Sequence, residues 1–371
     1  MKKKVSLPVI QLIGALLLAY FLFVILNPNK ISFENLALGT ETSLSQAKDD
    51  NGKLIHYLRL DSQELLSLAA LTKSSSDSII LILGNSQTHS INQMKPNDRN
   101  YVEIIEEYLS EKERYSVISF SFPNANLQEF YLAFDYILNQ NYPVKKLIFP
   151  IFMDDLRESG IRELFFTELV RKKYQIMDNS RISNEINKTL SARWKSVANE
   201  NQIVLTTQEK SEKWLNEYLL NKLPIWGQRE TMRGTLLNWL YMLRNTIFGI
   251  RPNSVRHIIS EPYQKNLEAL DAILQLAKNK GVRVYFYVPP IRSDGELPYD
   301  QSELLKFKND INALATLNSA NIKDFSAIVP GKFWGYKEPT NFIDSIEVDF
   351  MHFQSQGHRI LADSLTQFIS N

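Results

Sequence analysis

The chain contains no cysteine, which removes disulfides, thiolate catalysis and cysteine-based zinc sites at once. Only five histidines occur, at positions 56, 89, 257, 352 and 358. None of them stands in a His-Glu-x-x-His helix, so the zincin motif is missing too. Neither sign of charge is in excess, with 42 Lys plus Arg against 41 Asp plus Glu. A nucleic-acid binder needs a basic face to displace counterions, and this balance argues against one. There is no internal repeat. What is present suits a folded body: 371 residues, 44% hydrophobic and 22% charged, enough for one large α/β domain with an insertion.

The first segment bears on the compartment. Met1-Lys2-Lys3-Lys4 precedes an uncharged stretch from Val5 to Leu26, which is about the length of a helix that crosses a bilayer core. Tyr20, Phe21 and Phe23 lie toward its far end, where aromatic side chains favour the interface. Three lysines precede it and only Lys30 follows closely. The positive-inside rule therefore predicts a single-pass protein with a cytoplasmic N-terminus and an extracytoplasmic body, in the periplasm or at the cell surface. Asn27-Pro28-Asn29-Lys30 offers no small-x-small cleavage site, so an uncleaved anchor is expected rather than a signal peptide. Residues 1–30 then read as cytoplasmic tip and anchor. Residues 31–77 read as a polar stalk with a peripheral helix near Ser62–Thr72, and residues 78–371 as the globular domain.

In that domain apolar strand-like runs alternate with helical periodicity. Ser78–Leu83, Tyr115–Phe120, Lys146–Phe152, Val282–Val288 and Ile322–Phe325 read as strands. Helices are expected over Val102–Leu109, Leu127–Leu138, Glu261–Lys278, Leu304–Leu317 and Ser355–Ser370. Pro262 in a first turn and Gly281 just past an end support one of them. The alternation predicts an α/β fold, a parallel sheet in a three-layer, flavodoxin-like sandwich. From about 157 to 260 the pattern is helical, with Ile161–Lys173, Ser211–Leu223 and Thr235–Ile247. It reads as an insertion on the catalytic rim, and Leu236–Leu243 within it as a buried packing face more than a membrane or partner contact.

In such sheets chemistry collects at the carboxyl ends of the strands, and the candidates fall there. Ser86, in Gly84-Asn85-Ser86-Gln87, follows the first strand, Asn124 the second, and Asp154 and Asp155 the third. A serine hydroxyl needs a neighbouring base, and that base a third group to orient it. Asp349-Phe350-Met351-His352 supplies both, with one turn bringing Asp349 to the ring nitrogen of His352 that faces away from Ser86. The stretch after it, Phe353 to His358, reads as a loop entering the closing helix.

Together these motifs resemble the SGNH (GDSL-like) hydrolase superfamily, over roughly Ile79–Phe368 apart from the insertion. The resemblance implies Ser86 as nucleophile, His352 as base, Asp349 as its orienting carboxylate, and no cofactor or metal. Asn124, in Phe122-Pro123-Asn124-Ala125-Asn126, occupies the slot of a glycine whose backbone N–H serves the oxyanion hole with that of Ser86. Asn tolerates the left-handed backbone such a glycine adopts. Asp154, in Phe152-Met153-Asp154-Asp155, stands where an asparagine side chain would donate to the oxyanion. An ionised carboxylate cannot donate, so Asp154 is protonated, or turns away, or backbone N–H groups suffice.

The anchor, the external body and the late Asp-Phe-Met-His-Phe resemble proteins that act beside membrane-bound O-acyltransferases. Those include the D-alanyl-lipoteichoic-acid transfer and alginate O-acetylation types. The resemblance implies a serine esterase or O-acyltransferase working on a cell-surface polysaccharide or polymer, with a membrane-bound O-acyltransferase as partner. The other reading is an inactive accessory protein that keeps the fold and binds a polymer or an acyltransferase. Asp155, Arg157, Arg292 and Trp334 are candidates for substrate contact, with Arg162, Asp294 and Tyr336 beside them. His89 is expected to be a satisfied structural histidine.

Overall fold

The structure is a computed structural model that describes residues 11, 14–15, 42–49, 51–60, 78–112, 115–202, 207–222, 229–251, 253–343 and 346–370. In chain order the strands are β1 Thr42–Leu44, β2 His56–Tyr57, β3 Ser78–Gly84, β4 Ser90–Asn92, β5 Tyr115–Ser121, β6 Val144–Pro150, β7 Arg283–Val288, β8 Asn321–Asp324, β9 Trp334–Lys337 and β10 Glu347–Phe353. The helices are α1 Ser86–His89, α2 Tyr101–Lys112, α3 Leu127–Leu138, α4 Phe166–Arg171, α5 Arg181–Gln202, α6 Thr207–Lys222, α7 Arg229–Ile247, α8 Ser260–Lys280, α9 Gln301–Asn318 and α10 Ser355–Ser370.

β3 shows why the centre of the sheet forms. Ile79, Leu81 and Leu83 point into one apolar layer, while Ile80 and Ile82 point into the other. With side chains alternating at period two, a strand that is apolar throughout must be covered on both faces. The six strands run in the order β2-β5-β3-β6-β7-β8, every pair parallel. α3 and α8 contribute to the first layer, and α2 and α10 to the second. This is the expected parallel-sheet sandwich. The chain winds from β3 outward to β5 and then back across to β6, so the sheet reverses direction at β3. The crevice beyond the carboxyl ends at such a switch is where ligands bind in open α/β sheets.

The expected polar stalk is corrected over residues 42–60. β1 pairs with β4 and β2 extends the sheet beside β5, while Ala47, Ile55 and His56 are buried. Strands of two or three residues are too short to show a period, which is why the segment read as irregular. The helix expected near Ser62–Thr72 lies outside the described residues. So does almost all of the run from Val5 to Leu26. Among the described residues, no helix is long and apolar enough to cross a membrane.

The expected insertion is helical but is not one body. Contacts divide the chain into a large unit, Thr40–Leu205, Arg251–Lys337 and Ile346–Asn371, and a smaller one, Met1–Gly39, Thr206–Ile250 and Glu338–Ser345. Within 161–173 the helix is broken into a 3-10 turn, Glu163–Phe165, and the short α4. In the smaller unit Leu236, Leu237 and Leu240 are exposed, which overturns the buried face expected of that stretch.

Candidate active site

Gly84 ends β3 level with Ser121 of β5, and the chain turns at once into α1. A Cβ at Gly84 would lie 1.9 Å from Oγ1 of Thr88, so only glycine lets α1 sit this close to its own strand. The Asn85 side chain caps α1 by accepting from the Gln87 N–H at 3.1 Å, as N-cap residues do. The Tyr101 hydroxyl donates to Thr88 Oγ1 at 3.0 Å and secures the same turn from α2. Ser86 is thus the first residue of a fixed turn, and its N–H is one that a helix leaves without an internal partner.

His352 reaches Ser86 from the far end of the chain, its Nε2 3.0 Å from Ser86 Oγ. Its Nδ1 donates to Oδ2 of Asp349 at 2.9 Å. That bond fixes the proton on Nδ1 and leaves the Nε2 lone pair facing the serine. The pair is not set in a turn or loop, as expected, but in β10, which pairs with β9 and shifts register between Val348 and Phe353. The irregularity lets residues three apart meet in an extended segment. Asp349 Oδ1 accepts the N–H groups of Met351 at 2.8 Å and His352 at 3.0 Å. Asn92 of β4 donates to Asp349 Oδ2 at 3.2 Å. Burial raises the affinity of the Asp349 carboxyl for its proton. The facing His352, Lys337 and the Met351 N–H more than reverse this, holding it below the usual carboxylate range. Gln87 ties the two halves together through the Met351 carbonyl, 2.8 Å from its Nε2.

Asn124 has φ 55°, the left-handed conformation expected of the residue in this slot, and it is exposed beside the carboxyl end of β5. Neither its backbone N–H nor that of Ser86 has an acceptor among the described residues. The loop is anchored on both sides. The Phe122 N–H donates to the Gly84 carbonyl at 2.8 Å, and Arg162 Nη1 donates to the Pro123 carbonyl at 2.5 Å. Arg162 also meets the buried carboxylate of Glu129 through Nε at 2.8 Å and Nη2 at 2.6 Å. Glu129 in turn completes a capping box with Asn126 at the start of α3. Arg162, named as a candidate for substrate contact, is thus engaged with Glu129 and the Pro123 carbonyl.

Asp154 is not a donor to this site. Its Oδ2 accepts from Arg256 Nη1 at 2.5 Å and from the Tyr299 hydroxyl at 2.8 Å, while Oδ1 faces Arg157 Nη1 at 3.5 Å. The side chain is turned to these partners, which corrects its place in the oxyanion hole. Asp155 is also no surface contact. It is buried, accepts the Phe152 N–H at 2.9 Å, and burial pushes its carboxyl well above the usual range. Arg157 gives its Nε to the His257 carbonyl at 2.9 Å and keeps a partly exposed position. Arg292 is buried and committed to Asp294 at 2.6 Å and the Gly335 carbonyl at 2.7 Å. Trp334 is buried, with its indole N–H on the Val329 carbonyl at 3.1 Å. Both side chains are held by these partners, whereas Tyr336 is exposed.

His89 is the structural histidine expected, buried with Nδ1 2.6 Å from Ser121 Oγ, a hydroxyl that also meets His56 Nε2. Sequence reasoning missed Gln87, Asn92, Glu129, Arg256 and Tyr299. The partners that matter here are distant in the chain; only Glu129 had a local signal, the Asn126-x-x-Glu129 capping box before an apolar run. Among the described residues, no group of three or more His, Asp or Glu is arranged to hold a metal.

No protein-family model and no curated protein matches the chain. Among solved structures, it is similar to an acetylxylan esterase from Geobacillus stearothermophilus, at 10% identity and TM-score 0.41, covering 80% of this chain and 96% of that one. It is also similar to a putative lipolytic protein of the G-D-S-L family from Desulfitobacterium hafniense, at 9% identity and TM-score 0.35, covering 79% and 99%. An alpha/beta hydrolase enzyme from the metagenome of Lake Arreo overlaps at 9% identity and TM-score 0.38, covering 79% and 95%. These overlaps are partial, and the reading of the site rests on the geometry above.

Proposed function

We propose that the chain is a serine esterase or O-acyltransferase of the SGNH kind. The observation that carries this reading is the continuous relay from Ser86 Oγ through His352 to Asp349, with spacings of 3.0 and 2.9 Å. His352 Nε2 takes the Ser86 proton as Oγ bonds to the ester carbon, and the carbonyl π pair moves to its oxygen. The N–H groups of Ser86 and Asn124 receive that oxyanion. Collapse breaks the bond to the alkoxy group, which leaves with the proton from Nε2. Water or an acceptor hydroxyl then enters by the same steps in reverse and frees Ser86. Asp349 stabilises the imidazolium in both halves.

The substrate side of the proposal rests on the sequence. A run from Val5 to Leu26 preceded by three lysines supports a membrane-anchored, extracytoplasmic body. The motif resemblance supports an acyl group on a cell-surface polysaccharide or polymer, and a membrane-bound O-acyltransferase as partner. Measuring polymer-bound esters in cells lacking the protein tests the direction of transfer. Loss of esters marks a transferase and gain an esterase, while no change overturns both.

One observation favours a second reading, an accessory protein without turnover. Asp154 is occupied by Arg256 and Tyr299 where a side-chain donor would stand, and one missing donor typically costs about 10²–10³ in rate. This reading requires that Ser86→Ala and His352→Ala leave polymer acylation in cells unchanged.

A further inference from the structure

We propose that the exposed face of α7, with the loop bearing Phe342 and Ile343, is a surface that beds into a lipid bilayer. The helix is inside out for a soluble protein. Leu236, Leu237, Leu240 and Ile247 are 55%, 54%, 45% and 68% exposed. At about 100° per residue these positions gather on one side of the helix. On the opposite side stand Asn238 and Asn245, which are buried. Asn245 Nδ2 donates to the Thr340 carbonyl at 2.9 Å, and its Oδ1 accepts from Arg244 Nη2 at 2.8 Å. A buried amide costs free energy unless it is bonded. Two polar side chains of α7, Asn238 and Asn245, are therefore turned inward, while Leu236, Leu237, Leu240 and Ile247 face outward.

The loop follows the same rule. The Phe342 N–H donates to Thr246 Oγ1 at 2.9 Å, and its ring packs 5.9 Å from that of Trp239. That anchorage leaves Phe342 partly exposed and Ile343 71% exposed. Phe248, just past the helix, is 73% exposed. Contiguous apolar exposure of this kind marks an interaction surface.

Charge identifies the occupant. Arg233 and Arg244 are exposed on the same side of α7 as the leucines, Arg244 with its guanidinium on Asn245 Oδ1 and 4.7 Å from the Tyr241 ring centroid. A long guanidinium stem lies along apolar surface while its head meets a phosphate, the arrangement of helices that lie in the plane of a bilayer interface. A protein groove matched to this helix would instead have to desolvate the Arg233 guanidinium or pair it. The apolar run near the N-terminus supplies the membrane in the account above. The inverted face is a separate observation and stands whether or not Ser86 is a nucleophile.

The absence of cysteine makes the test clean. Single Leu240→Cys, Ile247→Cys and Ile343→Cys variants of the full chain are labelled with an environment-sensitive nitrobenzoxadiazole probe. They are then reconstituted into phosphatidylcholine–phosphatidylglycerol vesicles. Leu317→Cys, at a 73% exposed position of the large unit, is the control. All four side chains are exposed, so the labelled chains keep the wild-type fold, which circular dichroism checks. The expected result is a blue shift at 240, 247 and 343, and loss of most of their emission to doxyl-labelled lipid, with the control unchanged. If the three probes behave like the control, the proposal is overturned. A blue shift without lipid quenching also overturns it, and points to a protein partner or a second copy.

Discussion

Asn92 Nδ2 lies 3.2 Å from Oδ2 of Asp349, so the last residue of β4, which follows the short helix that begins at Ser86, holds the carboxylate that faces His352. The same amide donates to Thr42 Oγ1 and to the Tyr336 carbonyl, each at 3.0 Å, which joins β1, β4, β9 and β10 at one side chain. A Cβ at Gly335 would come within 1.7 Å of Asn92 Oδ1, so β9 carries glycine where the amide must pass.

Two substitutions separate orientation from charge. Asp349→Asn is expected to lower ester hydrolysis by about 10⁴, because it removes the acceptor that holds the Nδ1 proton. Asn92→Leu removes one hydrogen bond to a charged group, about 1.5–3 kcal/mol, and is expected to cost roughly ten- to a hundredfold in kcat with KM little changed. Steady-state hydrolysis of a p-nitrophenyl ester checks both. Equal activity of the Asn92 variant and wild type would contradict the positioning role.

In the proposed mechanism Asn124 acts through its backbone, so its side chain is dispensable and its φ of 55° is not. Asn124→Gly is expected to stay within a few-fold of wild type. Asn124→Val puts a β-branched residue where it is strained and is expected to lose up to about 10²–10³ in kcat. The reverse order of activities would move the oxyanion donor elsewhere.

Arg162 is expected to matter for stability as well as rate. Arg162→Ala leaves Glu129 buried without its cation, a loss of about 2–4 kcal/mol, toward the lower end for buried pairs because the guanidinium is partly exposed. Urea unfolding measures it. Adding Glu129→Leu is expected to recover much of the stability but not the rate, since the Pro123 carbonyl remains unclamped.

Buried histidines make the fold acid-sensitive. Burial lowers His56 to about 4 and His358 to about 3 from an ordinary 6.5. Below 6.5 the unfolded chain takes up protons that the native state refuses, so stability falls as pH falls. Each histidine contributes up to about 1.4 kcal/mol per pH unit until its native value is reached. Urea midpoints between pH 7.5 and 5 are expected to decline, and His56→Gln to flatten the slope. A midpoint independent of pH over that range would contradict the burial of these rings in their neutral form.

The four central strands β5, β3, β6 and β7 were legible because each is an apolar run covered on both faces, as at Ile79–Leu83, whereas β8 lies at the sheet edge and is mostly exposed. Ser86 and the Asp349–His352 spacing were legible for a different reason, since a nucleophile needs a base and a base needs an orienter. The extended, bulged geometry of β10 was not, because spacing of three suits a turn equally well. β1 and β2 escaped because their register is set by partners 50 and 63 positions away, Thr42 by Asn92 and His56 by Ser119. The fate of Asp154 depended on Arg256, separated by 102 residues, and no period carries that information. The leucines of α7 misled the reading because hydrophobicity alone does not say which way a helix faces.

The central claim is that Ser86 is a nucleophile activated by His352. Intact-mass measurement after treatment with a fluorophosphonate tests it most directly. The account predicts one phosphonyl adduct on wild type, mapped to the peptide containing Ser86, slow or no labelling of His352→Ala, and none of Ser86→Ala. Wild-type chain that stays unmodified, or an adduct that persists in Ser86→Ala, would contradict it.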